Sequence, residues 1–191
     1  MIYIYMALHR EAKPLIKKLN LKREDVPFGF AVYGNEELGV RLVLTGVGAI
    51  AAAAGVGSSL GYFRGTKSDI LINIGSCAGK SDAGKVYLCH KITDEVSGHT
   101  FYPDILCRHP FEEASLVTQS QVLCEGLEDS QLYDMEGASI YQAGSYFFGP
   151  HQMFFLKIVS DAGRGNKVSP EQLEKVMEQA ADSIVDFLRE L

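Results

Sequence analysis

The stretch Ser68 to Gly79, SDILINIGSCAG, constrains the fold more than any other part of the chain. Ile70 to Ile74 is apolar except for Asn73, too short for a helix and rich in β-branched residues, which predicts a strand buried on both faces. The run closes on Gly75-Ser76-Cys77-Ala78-Gly79, where the glycines are expected to turn the backbone tightly and leave its N–H groups bare. A loop of that kind at the carboxyl end of a central parallel strand is where open α/β sheets hold their ligands. A glycine-rich turn of no special purpose accounts for the same residues.

The rest of the chain alternates strands and helices around that run. Ile2 to Leu8 reads as a first strand, and Glu11 to Leu19 as a short helix with Pro14 in its tolerant first turn. Phe28 to Tyr33 and Val40 to Thr45, joined by GNEELG, read as a hairpin. Thr45-Gly46-Val47-Gly48 is another turn, followed by Ala49 to Phe63, a helix of Ala, Gly and Ser suited to close packing. Val86 to Glu95 continues as one or two strands, and Val96 to Glu113 dissolves into a surface loop placed to serve as a lid. Ser115 to Thr118 is a brief strand, Cys124 to Gln131 a polar connector, Glu136 to Phe147 a helix, and Met153 to Ser160 a second buried strand. Asp161 to Val168 is a loop, and Ser169-Pro170-Glu171-Gln172 is a capping box that opens a last helix with an apolar stripe from Leu173 to Leu191. The expected architecture is α/β, a three-layer αβα sandwich on a mixed central sheet, with residues 1–191 forming a single domain.

Charge and cysteine usage narrow the partners. A net charge of −6 with no basic block excludes nucleic acid and anionic membrane as expected partners and favours a small neutral or zwitterionic ligand. The N-terminal MIYIYMAL lacks a basic leader and is cut short by His9-Arg10-Glu11, as neither a signal peptide nor a spanning helix would be. Cys77, Cys89, Cys107 and Cys124 are widely spaced, which indicates neither a zinc site nor a disulfide framework and predicts reduced thiols in the cytoplasm; no metal or organic cofactor is expected.

Three acids stand at strand or turn ends: Glu11, Glu136 and Asp161. Strand ends on one side of a parallel sheet gather at one crevice, so acids far apart in sequence can converge there. Glu11 is also accounted for as a first-turn residue favoured by the helix dipole, and Asp161 as a helix cap or loop residue. Glu136 lies between Met135 and the small run Gly137-Ala138-Ser139, which predicts partial burial and the need for a partner.

The segments ALHREA, TGVGAIAAAAG, INIGSCAGK, KITDE, YDMEGASIY and KIVSDAG occur in an order that resembles the nucleoside phosphorylase and nucleosidase superfamily, most nearly its 5′-methylthioadenosine/S-adenosylhomocysteine nucleosidases. The resemblance implies a hydrolase that cleaves the N-glycosidic bond of a purine nucleoside, working as a homodimer. It implies that Glu11 polarises the attacking water and that Met135 and Glu136 contact the ribose, with Glu136 taking the 2′- and 3′-hydroxyls. Asp161, with Ser160 beside it, would serve N7 of the leaving purine, and Ser76 would line the nucleophile side. Gln121 and Val122 fall in the base-reading loop, where the family carries an acid and an aromatic residue, and Lys157 falls where it usually carries an arginine. The stretch from Gly98 to Gln131 is shorter than in the family, and Phe101, Tyr102 and His99 are candidate replacement stacking surfaces.

The chemistry suits these residue types. An N-glycosidic bond breaks through an oxocarbenium-like sugar, so the base must leave as a neutral molecule while a nucleophile arrives on the opposite face. Phosphorolysis is the alternative, with Arg10, Arg41 and Arg108 as candidate anion ligands, although Glu11 near the nucleophile would repel phosphate. A catalytically silent nucleoside-binding module is the other.

Overall fold

The computed structural model describes residues 1–121, 127–161 and 168–191, Asp161 through its backbone alone. The chain opens with β1 (Ile2–Met6), α1 (His9–Lys18), β2 (Lys22–Glu24), β3 (Ala31–Asn35), β4 (Val40–Leu44) and α2 (Ala49–Phe63). Then come β5 (Ile70–Gly79), β6 (Val86–Asp94), β7 (Thr100–Phe101), β8 (Glu112–Thr118) and β9 (Gln131–Asp134). It ends with α3 (Gly137–Gly144), β10 (Met153–Asp161) and α4 (Pro170–Glu190).

The predicted central strand is β5, and it holds the molecule together. It pairs in parallel with β1 over its first half and with β10 along nearly its whole length. Leu71, Ile72 and Ile74 have no solvent exposure, as a strand covered on both faces requires. Ile72 and Ile74 join the cluster formed with Leu15 of α1 and Val176, Ile184 and Phe187 of α4. Leu71 joins the opposite cluster, with Val56 and Leu60 of α2 and Ile140 of α3. Two helices on each face of a mixed sheet make the three layers that the alternation of elements predicts.

The sheet is more closed than that alternation suggests. Strands β5, β10, β6, β8 and β9 each pair with the next and β9 returns to β5, so this half curls into a small barrel, while β1, β4, β3 and β2 extend as a sheet from β5. β5 runs straight through Gly75–Gly79 and makes no turn there. Gly79 serves close approach: a Cβ there would come within 2.7 Å of Leu132 Cδ2 on β9.

Other expectations are corrected in detail. α1 begins at His9, so Pro14 lies beyond the first turn; it is buried, and its ring forgoes the bond to the Arg10 carbonyl. α3 spans Gly137–Gly144, with Glu136 as its N-cap. Segment 102–111 is anchored to the body of the molecule. The Tyr102 carbonyl accepts from Tyr141 Oη (3.4 Å), Asp104 N–H donates to the Pro150 carbonyl (3.1 Å), and Phe111 meets Phe187 of α4 edge-on. Phe101 is occupied in a stack on Tyr141 with ring centroids 4.9 Å apart. Among the described residues no helix is long and apolar enough to cross a membrane.

Candidate functional site

A gap in the sheet sets the geometry. Along one edge of β5 the last partner in β1 faces Asn73, and the next partner, in β9, faces Ala78. Between them that edge has no neighbouring strand, so a backbone donor there needs another acceptor. Glu11 supplies it. From the first turn of α1 its Oε1 accepts from Ser76 N–H at 3.0 Å and Ser76 Oγ at 2.5 Å, while its Oε2 accepts from Leu8 N–H at 3.1 Å. The carboxylate is thereby fixed in position, and Glu11 is only 3% exposed.

Across the gap stands Glu136, half-buried, its Oε1 accepting from Gly48 N–H at 2.7 Å. Gly48 precedes α2 with φ of 97°, a left-handed conformation that glycine adopts without strain, and Gly46 before it has φ of 81°. The Thr45-Gly46-Val47-Gly48 turn thus offers a backbone N–H to one carboxylate, as Ser76 within Gly75–Gly79 offers one to the other. Burial pushes the Glu136 carboxyl above its ordinary range, and the charges of Asp134 and Glu11 push the same way; Lys157 and the Gly48 amide oppose them.

Behind Glu136 lies an ion pair that the sequence reading did not identify. Lys157 Nζ, 1% exposed, meets Asp134 Oδ2 at 2.7 Å. Burial works against the ammonium, yet Asp134 and then Glu136 hold its pKa above the usual lysine value. Asp134 Oδ2 also accepts from Gly137 N–H (2.8 Å), and its Oδ1 accepts from Thr118 Oγ1 (2.6 Å), which in turn accepts from Ala138 N–H (2.9 Å). A lone lysine inside the apolar strand FFLKIVS is the signal that pointed to such a pair.

The other residues singled out in the sequence distribute unevenly. Met135 is half-buried beside Glu136. Ser160 sits at a register shift in β10, half-buried, its Oγ donating to the Cys77 carbonyl at 3.2 Å. Gln121 is exposed just beyond β8. Val122 and the side chain of Asp161 lie outside the described residues, although the Asp161 backbone pairs with Ala78 at the end of β5. Arg41, a candidate phosphate ligand, is committed elsewhere: its Nε donates to both Glu24 oxygens (3.2 and 3.1 Å), and its guanidinium covers Phe63. Arg108 follows Cys107, whose thiol senses Glu190 at the far end of α4. Among the described residues no cluster of His, Cys, Asp or Glu could hold a metal ion.

Neither protein-family models nor curated proteins match the chain. Solved structures do match it. The Neisseria meningitidis 5′-methylthioadenosine/S-adenosylhomocysteine nucleosidase, solved with methylthio-immucillin-A, superposes with a TM-score of 0.81 at 18% identity, covering 100% of this chain and 99% of that one. The Arabidopsis thaliana 5′-methylthioadenosine nucleosidase gives 0.79 at 20% identity, over 98% and 95% of the two chains. Futalosine hydrolase from Helicobacter pylori gives 0.78 at 15% identity, over 100% and 97%. The chain thus has the nucleoside phosphorylase-like fold over its whole length.

Proposed function

We propose that this protein is a purine nucleosidase that hydrolyses the N-glycosidic bond of a 5′-modified nucleoside. The observation that carries the reading is Glu11: a buried carboxylate immobilised by Leu8 and Ser76 at the gap in the sheet, with a second carboxylate, Glu136, across from it. The solved structures of like fold are nucleosidases and a futalosine hydrolase, which supports the reaction class.

In this reading Glu11 orients a water and takes its proton as the water attacks the anomeric carbon. Ser76 Oγ keeps the carboxylate from rotating away from that water. Glu136 receives the 2′- and 3′-hydroxyls, and those hydrogen bonds strengthen as positive charge develops on the ring. Asp161, at the end of β10, delivers a proton to N7 so that the base departs neutral. Water is favoured over phosphate as nucleophile because two carboxylates face the site and Arg41 is held by Glu24. The protein works as a homodimer in the cytoplasm, a reading supported by the uncharged outer face of α2 and by the thiols of Cys89 and Cys107.

The test is base release. Purified protein is incubated with purine and pyrimidine nucleosides, 5′-methylthioadenosine among them, with and without phosphate, and free base is measured by chromatography. Base is expected without phosphate, with losses of at least about 100-fold in Glu11→Gln and Asp161→Asn. Base appearing only with phosphate would make the enzyme a phosphorylase, and ligand binding without release would make it a silent binding module.

A further inference from the structure

An N-cap side chain ordinarily turns back to accept from the second or third amide of its own helix. Glu136 is the N-cap of α3 and makes no such bond. The task is done by others: Asp134 takes the Gly137 amide, and Thr118 takes the Ala138 amide. Relieved of capping, the Glu136 carboxylate reaches across to Gly48. The arrangement has an electrostatic cost, because Asp134 lies two residues from Glu136 and opposes its ionisation. Lys157, buried against Asp134, offsets it. A Cβ at Gly75 of β5 would stand in ordinary contact with this ammonium, 3.7 Å from Nζ.

We infer that Asp134, Thr118 and Lys157 form a positioning unit: Asp134 and Thr118 take the first amides of α3 and free Glu136 to reach the ligand, and Lys157, paired with Asp134, offsets the negative charge that this places beside it. Lys157 touches neither water nor ribose in this role and acts through Asp134 and Glu136. The inference rests on the reading of Glu136 as the ribose-binding group. Among the described residues the charged groups that face Glu136 are Asp134 from β9, Lys157 from β10 and Glu11 from α1, together with the Gly48 amide before α2. Burial and the two acids raise its pKa while Lys157 and the amide lower it, so deleting either member of the pair moves the titration in a direction fixed in advance.

The experiment follows the Glu136 carboxyl carbon by NMR across a pH series in the free protein, its resonance assigned with Glu136→Gln. Lys157→Met is expected to raise the midpoint by about one unit, a tenfold change in proton affinity, and Asp134→Asn to lower it by a similar amount. Lys157→Arg keeps the charge and should leave the midpoint near that of the parent. In the base-release assay Lys157→Met should lose activity at neutral pH and regain part of it at higher pH, while Lys157→Arg stays within about threefold of the parent. A Glu136 midpoint unmoved by both charge deletions, or moved the same way by both, overturns the inference. Should Lys157→Met fail to fold, the downward shift in Asp134→Asn decides the matter alone. Because the titration needs no substrate, a protein that releases no base but shows the opposite shifts would keep this inference while losing the nucleosidase reading.

Discussion

Glu136 is a residue whose ionisation the free protein opposes. A carboxyl with a raised pKa in the folded state binds its proton more tightly there than in the unfolded chain. Its contribution to stability is therefore full below the ordinary carboxylate range and is lost as pH rises through the raised folded value. Glu136→Gln keeps an oxygen to accept from Gly48 and removes the charge. It should raise Tm at pH 7 by a few degrees, with the gain vanishing near pH 4; melts at the two pH values check it. Ser76→Ala tests the other carboxylate. It deletes the 2.5 Å hydroxyl bond to Glu11 and leaves the backbone donor in place. A hydrogen bond to a charged group is worth about 1.5–3 kcal/mol of stability, so Tm should fall by several degrees, and kcat of the proposed hydrolysis should fall about 10- to 100-fold as Glu11 loses its fixed position.

The first turn of α3 is where a helix, a strand and the candidate site lock together. A Cβ at Gly137 would come within 2.7 Å of Leu116 Cδ2 and 2.9 Å of Asp134 Oδ2. The leucine tip can yield, but Asp134 is pinned by Lys157, Thr118 and the Gly137 amide. Gly137→Ala should therefore cost about 1–3 kcal/mol, read from denaturant midpoints. The elements that carry their own pattern were legible in the sequence: β5 by its apolar run, the β3–β4 hairpin by its turn, α2 by composition and α4 by its capping box, in which Ser169 Oγ accepts from Gln172 N–H at 3.2 Å. β9 was not, because Gln131–Asp134 is four residues with polar ends and becomes a strand only by pairing with both β8 and β5. The glycines of β5 suggested a turn because sequence alone does not separate a glycine that bends the chain from one that admits a neighbour. In the candidate site, strand and turn ends picked out Glu11, Glu136 and Asp161 singly, and the resemblance added Ser76. The mutual geometry of Glu11, Ser76 and Glu136, and the Asp134–Lys157 pair behind them, rest on side-chain contacts between residues 23 positions apart or more.

At the scale of the whole molecule the outer face of α2 is the feature left unexplained by one chain. Its sequence, AIAAAAGVGSSLGYF, has no charged residue from Ala49 to Phe63, although a surface helix ordinarily carries charge on its solvent side. The inner face is accounted for: Ala52, Val56 and Leu60 are buried, and Gly55 lets the helix lie against Thr45. Outward stand Ile50, 88% exposed, and Tyr62, 50% exposed, with Val47 of the glycine turn beside them. A helix of this length spans about 22 Å, and a stripe about 10 Å wide along it covers only a few hundred square ångströms. A stable interface needs about 800 Å² from each partner, so a dimer built here must also take in the Val47 turn and the Phe28–Tyr62 aromatic corner. That extension would place the second subunit against the turn whose Gly48 amide holds Glu136, tying assembly to the candidate site. Sedimentation of the purified protein at micromolar concentration should show a dimer, and Ile50→Asp should convert it to monomer and lower base release while leaving the fold intact by circular dichroism. A parent protein that sediments as a monomer at that concentration would sink the dimer and leave the uncharged face of α2 to some other partner.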